Sequence, residues 1–238
     1  MRRNTRGFLV LCVAAAGILG VGLHHSVEEH PAFAPAPYSD SVFILDAGHG
    51  GEDGGALSVT GTAESGINLA IAKKMDGILG FFGQKTVLLR SEDVSLHDPG
   101  AVTLREKKVS DLKNRANQVN ACSSGVLISI HQNSYPGEKY WGLQTFYAPT
   151  NHSQALAEGI QGTVQTALQQ ENLRQAKPIP DNVYLMNHVQ CPAVLVECGF
   201  LTNREEESRL RDEQYQRKLA AVLSAAVMNW AQSTTASE

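Results

Sequence analysis

Three short apolar runs mark the chain, at residues 42–45, 126–130 and 193–196. Runs of four to eight apolar and β-branched residues are typical of strands that are buried on both faces of a sheet. Each run is followed by a polar side chain. His49 comes after the first run in a glycine-rich turn, His131 directly follows the second, and Glu197 directly follows the third. The pattern therefore predicts three buried strands that each deliver a polar group.

Helical periodicity fills much of the sequence between these runs. Apolar residues at positions 67, 71, 75 and 78 define the buried stripe of one helix. Further predicted helices cover residues 104–119, 152–172 and 212–230, and weaker strand patterns cover residues 85–90, 142–148 and 183–186. Strands that alternate with helices predict an α/β fold: a single domain with a mostly parallel central sheet of about six strands and helices on both faces.

Composition limits the class of protein. The chain has 238 residues, 42% of them hydrophobic, and a formal net charge of -4. We therefore expect one globular domain at residues 41–235 and no nucleic-acid partner, because no basic surface is available to a polyanion.

The first 25 residues have the layout of a targeting segment. Arg2, Arg3 and Arg6 precede an uncharged apolar run at residues 7–23. This arrangement predicts a secretory signal peptide or a retained signal anchor at residues 1–25, and both alternatives stay open. Residues 26–40 are rich in proline and polar residues and predict a linker. We expect an exported, extracytoplasmic protein that contacts a membrane only through this segment.

Cysteine usage does not indicate a disulfide framework. Outside the apolar leader the chain has three cysteines, Cys122, Cys191 and Cys198, which is an odd number. One alternative function follows from them: a cysteine hydrolase with Cys198 as nucleophile and a histidine as base. That alternative leaves the glutamates without roles.

The fold prediction brings the polar strand ends together. In parallel sheets ligands bind at the carboxyl ends of the strands, where His49, His131 and Glu197 are expected. Glu64 lies on the apolar stripe of the first helix. Its negative charge either stabilises the N-terminus of the helix at a partly exposed position, or it is buried and needs a partner. Two histidines and one glutamate form a common catalytic zinc site. Glu197 would then remain as a second acid that moves a proton during hydrolysis.

Several motifs in a fixed order make this interpretation specific. They are DAGHGG at residues 46–51, Asp53, Gly55, Glu64, RAN at 115–117, SIHQN at 129–133 and VECGFLTN at 196–203. Together they closely resemble the zinc-dependent N-acetylmuramoyl-L-alanine amidases, and the resemblance covers residues 41–231. It implies cleavage of the amide between N-acetylmuramic acid and L-alanine in peptidoglycan, with one Zn²⁺ per chain.

The resemblance also implies roles for individual residues. His49, Glu64 and His131 match the zinc ligands, and Glu197 matches the catalytic glutamate. Positions that recur near the site are matched by Arg115, Asn117 and Asn133, for which substrate contact or support of the ligands stays open. Ala47 replaces the usual proline before Gly-His, and Cys198 replaces a commoner valine or threonine.

The layout of leader, linker and one catalytic domain resembles the short amidases of endospore formers that act on spore cortex and prepare muramic-δ-lactam. An enzyme of this kind would face the space between forespore and mother cell, and a regulatory protein partner is left open. The alternatives are a vegetative wall-remodelling amidase, a non-catalytic peptidoglycan-binding relative, or a zinc hydrolase that cuts another bond.

Overall fold

The computed structural model describes residues 40–235 and contains a six-stranded sheet. The strands are β1 (Val42–Ala47), β2 (Lys85–Leu88), β3 (Gly125–Asn133), β4 (Gln144–Tyr147), β5 (Lys177–Pro178) and β6 (Ala193–Phe200). Their order across the sheet is β2-β1-β3-β6-β4-β5. The neighbours from β2 to β6 pair in parallel, whereas β4 is antiparallel to β6 and parallel to β5. The predicted α/β fold with a mostly parallel sheet of about six strands is confirmed.

Six helices accompany the sheet. They are α1 (Glu64–Phe81), α2 (Leu104–Asn120), α3 (Ser153–Ala167), α4 (Tyr184–His188), α5 (Arg204–Arg211) and α6 (Glu213–Thr235). Local chemistry sets several helix ends. Thr103 and Glu106 form a reciprocal capping box that begins α2, and the Asn203 side chain accepts two backbone N–H bonds that begin α5.

Two apolar cores cover the two faces of the sheet. Phe43 and Leu45 of β1 belong to the core that includes apolar residues of α1, α3 and α6. Ile44, between them in the sequence, belongs to the opposite core, which includes residues of α2 and α4. This alternation is the two-residue period of a strand buried on both sides, so the predicted helices on both faces are confirmed.

The structure corrects two details of the predicted elements. Residues 183–186 were expected to form a strand, but Tyr184–His188 is the short helix α4. The Asn187 side chain donates to the carbonyls of Pro180 and Val183, and these bonds close a helical turn. The polar turn expected near residue 203 continues into α5, whose Leu210 enters the first core. Apolar residues in a short run fit either type of element.

The predicted leader and most of the predicted linker, residues 1–39, lie outside the described residues and stay predictions. Within residues 40–235 no helix is long and apolar enough to span a membrane.

Candidate metal centre and active site

His49 lies in the turn that follows β1. Its φ of 63° is in the left-handed region that glycine usually occupies. Its Nδ1 lies 3.0 Å from Oδ2 of Asp53, and its Nε2 lies 3.4 Å from Oε2 of Glu64. The hydrogen bond with His49 holds the pKa of Asp53 well below its usual range. A carboxylate behind an imidazole fixes the ring and its tautomer, as is common for metal ligands.

Glu64 is the first residue of α1 and is only 3% exposed. Its Oε2 accepts a hydrogen bond of 3.0 Å from the Ala56 N–H, while Oε1 accepts from the Gln132 N–H at 3.0 Å and from Asn68 Nδ2 at 3.1 Å. Burial opposes its charge, but the hydrogen bond with His131 and the neighbouring donors hold the pKa of Glu64 down at about 2. The carboxylate is therefore built to stay ionised.

His131 lies near the carboxyl end of β3, with Nδ1 at 3.0 Å from Oε1 of Glu64. Two glycines give these side chains their space. A Cβ at Gly48 would lie 2.2 Å from the His131 ring, and a Cβ at Gly55 would lie 2.6 Å from Oε2 of Glu64. Gly55 also has a φ of +71°. Any side chain at either position would displace a group of the site.

His49, Glu64 and His131 fit a tetrahedral metal. Their ligand atoms all lie within 4.8 Å of one another. In a tetrahedral zinc site with ligands at about 2.0–2.1 Å, neighbouring ligand atoms are roughly 3.4 Å apart. His49 Nε2 lies 3.4 Å from Oε2 of Glu64 and His131 Nδ1 lies 3.0 Å from Oε1, so each histidine is at about that distance from a different oxygen of the carboxylate. The predicted three-ligand group is thus brought together in space.

Glu197 lies beside this group. It pairs with His131 in the register of β3 and β6, so both side chains are on the same face of the sheet. Its Oε2 is buried, with no hydrogen-bond partner among the described residues. Burial raises the pKa of Glu197 to about 7. A carboxyl group of this kind can bind and release a proton near neutral pH.

Arg115 of α2 is 2% exposed and lies behind His49. Its Nε bonds Oδ2 of Asp111 at 2.6 Å, and Nη1 pairs with Oδ1 of Asp46 at 2.5 Å. The same guanidinium donates to the carbonyls of Ala47 at 3.1 Å and His49 at 2.8 Å. Of the two roles left open for Arg115, these contacts favour support of the ligand loop.

Arg90 is a second buried arginine at this loop, and sequence reasoning missed it. It donates to the carbonyls of Ala47 at 2.8 Å, Gly48 at 3.1 Å and Ser65 at 2.9 Å. It thereby ties the His49 turn to the start of α1. A signal for Arg90 was present in the sequence, because Arg90 is the last residue of the strand pattern at residues 85–90 and directly follows its apolar residues 87–89.

Two buried amides were also missed. Asn68 Nδ2 donates to the Gly48 carbonyl at 3.1 Å as well as to Glu64, and Gln132 Nε2 donates to Asn68 Oδ1 at 3.0 Å. The signal for Asn68 was its spacing of four residues from Glu64, which places both on one helix face.

The two remaining predicted residues lie differently. Asn133 is half-buried at the end of β3, and its carbonyl accepts the Leu201 N–H at 2.8 Å. Asn117 is exposed on α2. Because Arg115 faces the sheet, a residue two positions later lies about 200° further round the helix and faces solvent. The structure does not bring Asn117 together with the other site residues.

An open cleft of about 220 Å³ leads to the ligands. Its lining includes His49, His131 and Arg115 on one side and Tyr184 and Met186 of α4 on the other. The cleft gives a substrate access to the face of the sheet on which Glu197 lies.

Cys198 lies on the opposite face of β6. Its side chain is completely buried in the core formed with α1, α3 and α6, and burial raises the pKa of the thiol. It therefore has neither the exposure nor the thiolate character of a nucleophile.

The α/β fold carries a site with two histidines and two glutamates. Comparison with known sequences shows which protein family has this chain as a member. Residues 43–229 match the Amidase_3 family, N-acetylmuramoyl-L-alanine amidase, and the chain belongs to this family.

Particular relatives narrow the comparison. The chain is 32% identical over 195 residues to the germination-specific N-acetylmuramoyl-L-alanine amidase of Bacillus subtilis (strain 168), covering 82% of this chain and 81% of that protein. It is similar to the CwlD amidase of Clostridioides difficile, solved in complex with the GerS lipoprotein, with 37% identity and a TM-score of 0.77 over 80% of this chain and 98% of that one. AmiC2 of Nostoc punctiforme shares 26% identity and a TM-score of 0.67, covering 82% and 99%.

The protein is therefore an N-acetylmuramoyl-L-alanine amidase, and peptidoglycan is its substrate. The predicted family, activity and fold are confirmed.

Proposed function

We propose that the amidase is zinc-dependent, with His49, Glu64 and His131 as the ligands and Glu197 as the general base. The observation that carries the proposal is the orphaned Oε2 of Glu197 beside three converging metal donors. A bound zinc ion would polarise the amide carbonyl and lower the pKa of water at the site. The neighbouring charges of Glu64 and Glu197 are then balanced by the cation.

Glu197 supplies the proton transfers in this proposal. Its carboxylate takes a proton from the attacking water and returns it to the nitrogen of L-alanine as the C–N bond breaks. Asp53 keeps the His49 ring oriented, and Arg90 and Arg115 hold the carbonyls of the His49 turn. The products are the lactyl carboxylate on muramic acid and a free peptide stem.

We further propose that the substrate is spore-cortex peptidoglycan and that the enzyme prepares muramic acid for muramic-δ-lactam formation. Support comes from the similarity to a germination-specific amidase and to the CwlD amidase. An exported location follows from that substrate and agrees with the leader predicted at residues 1–25. The complex of the CwlD amidase with a lipoprotein makes a regulatory protein partner part of the proposal.

One experiment tests mechanism and substrate together. Purified full chain is assayed for metal content and incubated with cortex-type and vegetative peptidoglycan, and the products are identified by mass spectrometry. We expect one zinc per chain, free stems, and faster release from cortex-type material. Glu197→Ala should keep the zinc and lose cleavage. Undiminished cleavage by that variant would overturn the role of Glu197, and equal rates on both materials would overturn the cortex assignment.

A further inference from the structure

A cluster of aromatic side chains lies on the loop between β3 and β4. Tyr135 and Tyr140 are 52% and 36% exposed, and with Phe200 and Arg174 they form what we call the aromatic platform. Aromatic rings that stay together at a protein surface commonly mark a binding site, because they leave apolar faces in water. None of these residues takes part in the chemistry proposed above.

The platform is held together by one edge-to-face contact, one stacked contact and one guanidinium. The ring centroids of Tyr135 and Tyr140 are 4.8 Å apart, and those of Tyr140 and Phe200 are 6.0 Å apart. The Arg174 guanidinium lies 4.7 Å from the Phe200 centroid, and its Nε donates to the Trp141 carbonyl at 2.8 Å. Arg174 is therefore occupied in fixing the rings. The exposed parts of Tyr135 and Tyr140 are then the apolar surface offered to a ligand.

The loop that carries the platform is tied down from the far side. Asn203 Nδ2 donates to the Glu138 carbonyl at 2.8 Å, and the Tyr135 N–H donates to Oγ1 of Thr202 at 3.3 Å. The platform is consequently formed before any ligand arrives, which lowers the ordering cost of binding.

The platform continues the row of residues that crosses the active site. His131 pairs with Glu197, and Glu197 pairs with Gln144 on the next strand, so the three side chains share one face of the sheet. Adjacent strands are about 4.8 Å apart. Gln144 Oε1 then accepts from Arg174 Nη1 at 3.0 Å. The platform thus begins one strand beyond Glu197, through the contact of Arg174 with Gln144.

We propose that the aromatic platform binds sugar rings of the glycan strand next to the muramic acid whose stem is removed. The inference rests on the amidase activity, whose substrate is a polymer with the sugar chain attached on the carbonyl side of the bond that is cut. The C–H face of a pyranose ring packs on an aromatic face as other apolar surfaces do.

The chemistry of the platform favours sugar over the peptide stem. The cations at the platform lie over rings: Lys139 Nζ is 5.7 Å and Arg174 Cζ is 5.9 Å from the Tyr140 centroid. Recognition of a carboxylate on the peptide stem would instead require a guanidinium whose N–H donors are free to bind a ligand.

Two substrates separate the platform from the catalytic site. Tyr135→Ala and Tyr140→Ala are compared with Phe82→Ala, which removes a 51% exposed ring at the far end of α1. On long glycan strands we expect KM to rise about tenfold for the two platform variants, because each removes a ring on which a sugar would pack. On a muramoyl peptide with a single sugar we expect all variants to match the unaltered chain within about twofold.

A binding measurement keeps the test independent of cleavage. A stem-free tetrasaccharide of the glycan is titrated into the zinc-loaded full chain by calorimetry. We expect binding by the unaltered chain and by Phe82→Ala, and about tenfold weaker binding by Tyr140→Ala. No binding by the unaltered chain would overturn the proposal even if amidase activity is intact. Equal losses of activity on the long and the single-sugar substrates would show that the platform binds the peptide stem. Unchanged kinetics on both substrates would indicate a protein partner as its ligand. Either outcome would overturn the proposal that the platform binds sugar.

Discussion

Glu64 and Glu197 are two carboxylates buried beside the same histidine, yet their surroundings differ. Glu64 receives hydrogen bonds from two backbone N–H groups and an amide, and its pKa is held at about 2. Glu197 has an oxygen with no partner among the described residues, and burial raises its pKa to about 7. Similar burial therefore produces opposite charge preferences, depending on the number of donors that the fold supplies.

This difference in pKa suits Glu64 to the proposed role of metal ligand and Glu197 to the proposed role of proton carrier. A metal ligand must stay ionised, and the three donors around Glu64 favour its charged form. A proton carrier must be able to hold a proton near neutral pH, and an unsolvated carboxyl group on a strand can do so. The following predictions test that contrast.

The largest effect is expected from Glu64→Gln, which keeps the size of the side chain and removes its charge. We expect zinc to fall well below one per chain and cleavage to fall by about 10³-fold or more, since a catalytic metal contributes several kcal/mol to transition-state stabilisation. Metal analysis after dialysis and release of free stems measure both quantities. Glu52→Gln, which alters a 57% exposed acid on the neighbouring loop, is the control. Full zinc content in the Glu64 variant would contradict the assignment.

The next prediction concerns pH and the metal-free protein. The pKa of Glu197 rises from an ordinary 4.5 to about 7 on folding, so the folded chain binds this proton more tightly than the unfolded chain. The resulting stability is fully present below pH 4.5 and is lost as the pH rises through 7. Relative to Glu197→Gln, we expect the free energy of unfolding to drop by on the order of 3 kcal/mol over that window.

Urea unfolding in the presence of a chelator, at pH 4.5 and pH 7.5, measures this difference. Glu64 has the opposite sign: its contribution is present above pH 4.5 and is lost as the pH falls towards 2. A parallel pH dependence in the unaltered chain and in Glu197→Gln would show that the buried carboxyl group is not the origin of the effect.

A smaller effect is expected from Asp53→Asn. This change removes the charge behind His49 Nδ1 and leaves all three ligands in place. We expect zinc affinity to fall about 10–100-fold, with cleavage nearly restored at saturating zinc. Competition with a chelator of known affinity measures the change. Asp98→Asn, in an exposed loop that does not contact the ligands, is the matched control, and equal zinc affinities in the two variants would contradict the role of Asp53.

The smallest effect is expected from Cys198→Ala. Burial of the thiol in the core predicts a stability loss of about 1 kcal/mol and cleavage within about threefold of the unaltered chain. In the folded protein, a maleimide should modify the partly exposed Cys122 and Cys191 well before Cys198. Abolished cleavage by the alanine variant, with zinc still bound, would revive the cysteine-hydrolase alternative.

The sequence was sufficient to predict which candidate site residues would lie together, because these residues follow simple patterns. His49, His131 and Glu197 end apolar runs, and parallel strands bring their carboxyl ends to one edge. Glu64 could be identified because it is an acidic residue on the apolar face of a predicted helix. These positions needed only the fold class and periodicity.

The supporting groups were harder to predict for a physical reason. Arg90 and Arg115 bind main-chain carbonyls of the His49 turn, and a carbonyl acceptor has no residue identity in the sequence. Their partners are fixed by the tertiary path of the loop. Likewise, residues 183–186 have an apolar pattern that suits a short strand or a short helix, and the side-chain bonds of Asn187 decide between them.

The strand order also has a consequence for how the protein is made. β6, formed by residues 193–200, lies between β3 and β4, which are completed about 50 residues earlier in the chain. During synthesis the edges of β3 and β4 must therefore wait for a late segment before they are paired. The same segment brings Glu197. A chain that ends before residue 193 thus has an open sheet and lacks Glu197, so the segment that completes the sheet is also the one that supplies the proposed proton carrier.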